Sequence, residues 1–438
     1  MGQFPHTKFL CAGFDEEGLC YSGGANGLIY CWDQRGELGL TLKAHAGECT
    51  AITAFQGRLI SAGRDHEITV HSISKGQFEY LHSIKHPVAA AATSLDFLDG
   101  KILVGHENGR IAVSDIQGND YDVVSTGHHS GEVWGLEMVR QQNCFLTCGD
   151  DNEFHEVSIA DKRVIRSGKV WTALDFNKGK HYQTNKMKST ASTTSQFPPH
   201  QQARAIAFSE GHNQVAVSNN YGDVTIFDYS DFTEPVQTLY DPDEWCEAMQ
   251  YSPNDKYLAV GSHDNSIYVY SVEGQSRYEL HWRIKDTFSS AITALDWSLD
   301  SQYIRGTDQA YDKDFFDVVR KEEAIEGNRA LTDVGRWNTL TCKLGWEVMG
   351  VFQAGTDGGD VNHVDVAPAR NLVAVADDFG SVNFYRFPCL KNSQDCVRMT
   401  GHSEHVTRVK FWADKAGNKG IITAGGNDKT YIQWKILD

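Results

Sequence analysis

One short pattern recurs nine times along this chain, and it constrains the fold more than any other feature. Each copy runs from a strand ending in small residues, through a turn rich in Asp, Asn and Gly, into a strand that usually ends on an aromatic. The clearest copies are SGGANGLIYCWD (22–33), SAGRDHEITVHS (61–72), VGHENGRIAVSD (104–115), TCGDDNEFHEVS (147–158) and VGSHDNSIYVYS (260–271). AVADDFGSVNFYR (374–386) and AGGNDKTYIQWK (424–435) follow, with the weaker VSNNYGDVTIFD (217–228) and a degenerate RGTDQAYDKDFFD (305–317). Near the end of each copy stand Trp32, His71, Ser114, Val157, Phe227, Tyr270, Phe316, Tyr385 and Trp434. Six of the intervals between them lie between 39 and 49 residues, and the other two are 70 and 69.

An interval of about 40–45 residues with strand-turn-strand units is the period of WD repeats, and the two long intervals imply insertions of about 25 residues each. Within a unit the alternation is period two, as in RAIAFS (204–209) and AITALDWS (291–298), which is the strand signal. The tight turn inside each unit reverses direction in a few residues, and Gly, Asn and Asp tolerate the backbone angles this needs. The pattern predicts an all-β WD-repeat β-propeller array of about nine four-stranded blades. A single closed ring typically holds about four to eight blades, so nine point to part of a tandem pair.

Composition narrows the function classes. Forty basic against 58 acidic residues give a net charge of −18, which argues against nucleic acid and anionic membranes as primary partners, because both reward basic surfaces. The start, MGQFPHTKFLC, does not have the pattern of a secretory signal. None of the ten cysteines forms a CxxC pair, so the reading is reduced, buried thiols in a cytosolic protein.

Two kinds of candidate residue stand out. In the WD pattern a His ahead of a blade's first strand bonds the Asp of its inner turn. The pairs here are His45 with Asp65, His128 with Asp151, and His402 with Asp428. Recurrence at the repeat period marks them as structural networks, since a catalytic pair would be unique. The second candidate is the insertion at about 171–203, where Lys178, Lys180, Lys186 and Lys188 face only Asp175. It reads either as a solvated loop or as a contact arm for an acidic partner.

The other insertion, about 319–360, opens with KEEAIEGNRALTDVGRW (321–337), which is expected to form a short helix. Two strand-like runs follow, NTLTCKLG (338–345) and WEVMGVFQ (346–353), then an acidic glycine turn, GTDGGDVN (355–362). Asp357 and Asp360 do not have EF-hand spacing, so the turn is not read as a calcium site. No phosphate-binding, nucleophile-elbow or zinc-protease motif occurs. The expectation is a chain without catalytic, cofactor or metal residues, a binding scaffold and not an enzyme.

These segments resemble the echinoderm microtubule-associated protein-like family and its tandem atypical propeller domain. The resemblance is carried by YSPNDKYLAVGSHDNSIYVYSV (251–272), ITALDWSLDSQYI (292–304) and WNTLTCKLGWEVMGVF (337–352) with GTDGGDVN. It continues through VAVADDFGSVNFYRFPCLK (373–391), GHSEHVTRVKF (401–411) and TAGGNDKTYIQWKI (423–436), with the atypical blade at 337–386 its most specific part. FLCAGF (9–14), TGHHSGEVWGLEMV (126–139) and FLTCGDDNEF (145–154) fit more loosely.

The resemblance implies a cytoplasmic, cytoskeletal protein associated with tubulin or microtubules and with other cytoskeletal or axonemal proteins, in ciliated cells within the axoneme. The alternative is a general WD-repeat scaffold that does not bind tubulin directly. The family's further N-terminal blades, and the coiled coil and basic region through which many members grip the lattice, have no match here. Blades one to three (about 1–125) are then expected to belong to an N-terminal propeller that they cannot close alone, and blades four to nine (about 126–438) to a six-blade C-terminal one. Either a partner chain or a longer polypeptide would supply the rest.

Overall fold

The computed structural model describes residues 6–74, 77–88, 90–107, 110–125, 128, 130–170, 201–274, 277–324, 331–352, 358–367, 371–392, 395–413 and 419–436. Among them 35 strands form nine antiparallel sheets, eight with four strands and the ninth with three. The sheets cover residues 9–43, 49–85, 92–125, 133–169, 203–239, 246–284, 292–323, 361–400 and 406–435. Each is a simple meander whose strands pair in sequence order. The nine repeat-end residues, from Trp32 to Trp434, all fall on third strands, as the period required. The ninth sheet departs from the expected four strands, because Tyr431–Lys435 is its last described strand.

The turn between second and third strands explains the Asp/Asn/Gly signature. Its third residue has a positive φ: 88° at Gly222, and 65°, 63° and 69° at Asn152, Asn265 and Tyr311. Glycine and asparagine enter that left-handed region at the least cost.

The chain divides into two compact units, Met1–His129 and Ser130–Asp438. In the first, each adjacent pair of sheets shares an apolar cluster. Tyr21, Ile29, Cys49 and Leu59 join sheets one and two. Ile60, Val70, Ile102 and Val104 join sheets two and three. On their other faces the outer two sheets carry exposed apolar side chains. Sheet one exposes Phe14 (69%) beside an apolar groove of about 630 Å³ lined by Phe9, Ala12 and Trp32. Sheet three exposes Leu98, Leu103 and Ile111.

The second unit closes on itself. Shared clusters run from sheet four to five, five to six and six to seven, and from eight to nine. The ring is completed where Trp412, Ile422 and Ala424 of sheet nine pack on Val133, Leu136 and Met138 of sheet four. Thr407 Oγ1 donates across the same seam to the Val133 carbonyl.

Between sheets seven and eight the packing is done by a non-sheet wedge. Leu331, Trp337 and Leu340 pack toward sheet seven, and Val348 and Val351 pack on sheet eight. This corrects the reading of 319–360. The run expected to be helical contains the two-residue strand Glu322–Glu323, the fourth strand of sheet seven, and a 3-10 turn at Val334–Arg336. The runs at 338–345 and 346–353 are not strands in their described residues. Among the described residues from 331 to 352 one antiparallel bridge occurs, Ser298 to Trp337, and Met349–Val351 is another 3-10 turn. In the first run the Thr341 and Cys342 amides are taken by a buried carboxylate, and in the second the Val348, Gly350 and Val351 amides go to turn and loop carbonyls instead of a neighbouring strand. The resemblance's atypical blade at 337–386 is therefore a wedge followed by an ordinary sheet spanning 361–400.

Candidate interaction site of the closed ring

The wedge is held by a buried ionic cluster. Asp296 and Arg305 sit directly opposite each other on the first two strands of sheet seven. Asp296 is fully buried, and its Oδ2 accepts from Arg305 Nε at 3.0 Å and from the Cys342 amide at 3.1 Å. Its Oδ1 accepts from the Thr341 amide (2.8 Å) and from the hydroxyls of Thr341 (2.9 Å) and Thr339 (2.7 Å). Arg305 Nη1 donates to Glu347 Oε1 at 2.9 Å, Lys313 lies 3.8 Å from the same oxygen, and the guanidinium stacks over Trp337. Burial alone would raise the Asp296 carboxyl, but Arg305 and the donors from the wedge outweigh it and hold it below the usual range. Opposite charges paired across one hairpin were the signal in the sequence. Glu347, 42 residues from Arg305, carried none.

Beyond this clamp the wedge presents an apolar surface. Gly350 N donates to the Cys389 carbonyl and Cys389 N to the Glu347 carbonyl, both at 2.8 Å, so the two segments run side by side. On them Trp346, Met349 and Leu390 are 48%, 56% and 46% exposed. Exposed aromatic and Met side chains grouped in this way are the residue types that protein interfaces enrich.

The ring's central channel is polar and internally paired. Its mouth encloses about 620 Å³ bordered by Trp134, Asp308, Lys343, Asp378, His405 and Arg408. Arg408 donates to the Glu247 carbonyl at 3.0 Å, and His263 Nε2 lies 3.1 Å from Glu247 Oε2. Burial would raise the Glu247 carboxyl, yet His263 and Arg408 keep it low. Lys410 pairs with Glu137 at 3.3 Å. Burial pushes Asp365 up to about 6, against the pull of Lys410.

The repeat-period His–Asp pairs were expected to be structural. His45 Nδ1 lies 3.1 Å from Asp65 Oδ1, and its Nε2 lies 2.9 Å from Ser61 Oγ. His402 Nδ1 lies 2.8 Å from Asp428 Oδ2, its Nε2 is 2.7 Å from Thr423 Oγ1, and Trp434 Nε1 donates to that same hydroxyl at 2.9 Å. These resemble hydroxyl–His–carboxylate triads, but Ser61 and Thr423 are fully buried, out of reach of a substrate. Of the third pair, His128 falls in the first unit and Asp151 in a turn of the second. Lys178, Lys180, Lys186 and Lys188 lie outside the described residues, as does Asp357, while Asp360 belongs to the 3-10 turn Gly358–Asp360.

A family model described as the echinoderm microtubule-associated protein second beta-propeller matches residues 133–436, the span of the closed ring. The chain is 36% identical to the ciliary WD repeat-containing protein ctxp80 of Euplotoides octocarinatus, over 98% of this chain and 57% of that protein. It is 30% identical to the 77 kDa echinoderm microtubule-associated protein of Lytechinus variegatus, over 99% of this chain and 60% of that protein. To echinoderm microtubule-associated protein-like 1 of Mus musculus it is 29% identical, over 98% and 48% respectively. The chain thus spans about half to three fifths of the length of these relatives.

Proposed function

Because this chain belongs to the echinoderm microtubule-associated protein family, we propose that it is a microtubule-associated WD-repeat scaffold that contacts tubulin directly and serves in the ciliary axoneme. The observation that carries this reading is the family match over the whole closed ring, wedge included. The ciliary and microtubule-associated names of relatives aligned over nearly all of the chain support it. The ring's buried His402–Asp428 network and paired channel charges suit a rigid binding platform.

Charge is the difficulty, and it shapes the test. A chain of −18 meets an acidic tubulin surface with long-range repulsion, which salt screens beyond about 8–10 Å. Direct contact therefore needs a local basic patch, for which Lys178, Lys180, Lys186 and Lys188 are proposed, or an apolar surface such as Trp346 with Met349. In a co-sedimentation assay the chain is expected to pellet with microtubules. Glu at all four lysine positions is expected to abolish a contact made there. Pelleting that survives the four changes removes the lysines from the proposal. No pelleting at any ionic strength favours the second reading, a WD-repeat scaffold without direct tubulin binding, for which the net charge speaks.

The first unit is proposed to be three blades of an N-terminal propeller that further blades complete, from a longer polypeptide or a partner chain. Its open apolar faces support this, with Phe9 and Phe14 on one and Leu98 and Leu103 on the other. Such faces on a free chain promote association, so native mass spectrometry of this chain alone is expected to show self-association. A stable monomer that does not aggregate counts against the proposal.

A further inference from the structure

Ten thiols with no CxxC spacing read as inert filler, but the fold brings two of them together from 38 residues apart. Cys11 lies on the first strand of sheet one, Phe9–Phe14, and Cys49 begins the first strand of sheet two, Cys49–Phe55. Their sulfurs are 4.0 Å apart, and Cys11 Sγ also donates to the Cys49 carbonyl at 3.5 Å. Both sulfurs sit over Gly23, which pairs with Cys11 on the adjoining strand. A Cβ at Gly23 would lie 2.6 Å from each sulfur, so the missing side chain is what lets the two thiols meet.

We infer that Cys11 and Cys49 are a peroxide-responsive pair that closes to a disulfide and covalently joins sheet one to sheet two. The two residues are suited to different roles. Cys11 is half-buried and reachable from solvent, whereas Cys49 is fully buried. The hydrogen bond from Cys49 draws the Cys11 thiol below its usual range, while the same contact and burial push Cys49 up. The Cys11 thiolate is therefore the nucleophile.

It attacks one oxygen of a hydroperoxide, the O–O bond breaks, and Cys11 becomes a sulfenic acid as the oxidant leaves as water or alcohol. Cys49 then attacks Cys11 Sγ, the S–O bond breaks, and the Cys49 proton leaves with the hydroxide as water. With hydrogen peroxide the balance is two thiols and one peroxide giving one disulfide and two waters. Closing the pair shortens the separation of the two sulfurs from 4.0 Å to a bond of about 2.05 Å.

The test is peroxide treatment of the folded full chain, alkylation of the remaining thiols under denaturant, and a non-reducing peptide map. Cleavage at Asp15–Glu17 separates Cys11 from Cys20, so the map identifies the partner residue. The expected result is a reducible link between the Cys11 and Cys49 peptides, lost in Cys11→Ser and in Cys49→Ala and kept in Cys20→Ser. Should a variant fail to fold, the wild-type map still decides. Full alkylation of Cys11 and Cys49 after peroxide, or a link from either to another cysteine, overturns the inference.

Discussion

Asp296→Ala is expected to lower the unfolding free energy of the closed ring by about 3–5 kcal/mol, the cost of breaking a buried ion pair on one side. The carboxylate is fully buried and accepts five hydrogen bonds, four of them from the wedge residues Thr339, Thr341 and Cys342. Its removal leaves Arg305 and Lys313 sharing Glu347, an excess of buried positive charge, and takes the acceptor from the Thr341 and Cys342 amides. Domains are stable by only about 5–15 kcal/mol, so the change removes a large fraction of the total. The check is a urea midpoint beside Glu279→Ala, which breaks the exposed pair with Arg277 and should cost no more than about 1 kcal/mol. Limited proteolysis should cut the wedge first, at 331–352. Equal midpoints for the two variants would sink the idea. A double change, Asp296→Leu with Arg305→Met, should be milder than Asp296→Ala, because no charge is left unpaired. The Asp296 carboxyl sits below its usual range, so its stabilisation is complete above the unfolded pKa of 3.8 and is lost as the pH falls below it.

Gly222→Ala is expected to cost roughly 2–4 kcal/mol, from left-handed backbone strain added to overpacking. Gly222 has φ 88° in the turn between the second and third strands of sheet five. A Cβ there would lie 2.5 Å from the Pro242 carbonyl oxygen and 2.6 Å from that of Glu244, both fixed in the loop entering sheet six. The equivalent turn of sheet six carries Asn265 at φ 63°, and Asn265→Gly should change stability by well under 1 kcal/mol. The measurement is the shift in urea midpoint for the two variants. A Gly222→Ala protein as stable as wild type would mean that the neighbouring loop yields, and that the glycine is not a steric requirement.

The repeat was legible because it depends on local chemistry that each copy states for itself. Period-two alternation, a turn residue that must take positive φ and a third strand ending on a core residue are all properties of about a dozen consecutive residues. For the same reason His402 and Asp428, 26 residues apart in a recurring frame, could be paired before any coordinates. The wedge was misread for the opposite reason. NTLTCKLG and WEVMGVFQ have the composition of strands, and composition does not say where their hydrogen bonds go. Asp296, 45 residues from Thr341 in sequence, accepts from the Thr341 and Cys342 amides in the place that a strand partner would have filled.

What the sequence determined by itself was the unit and its number: nine sheet-forming repeats, two long insertions, and a membership visible in residues 251–436. What only the tertiary structure decided was how the copies close. Six sheets make a ring because the 331–352 segment occupies the gap between sheets seven and eight, clamped by a charge cluster assembled from three separated stretches. Two cysteines that looked inert by spacing meet because a glycine on a third strand leaves them room. Local periodicity is written in neighbouring residues, whereas closure, clamping and thiol contact depend on which distant side chains share one desolvated space.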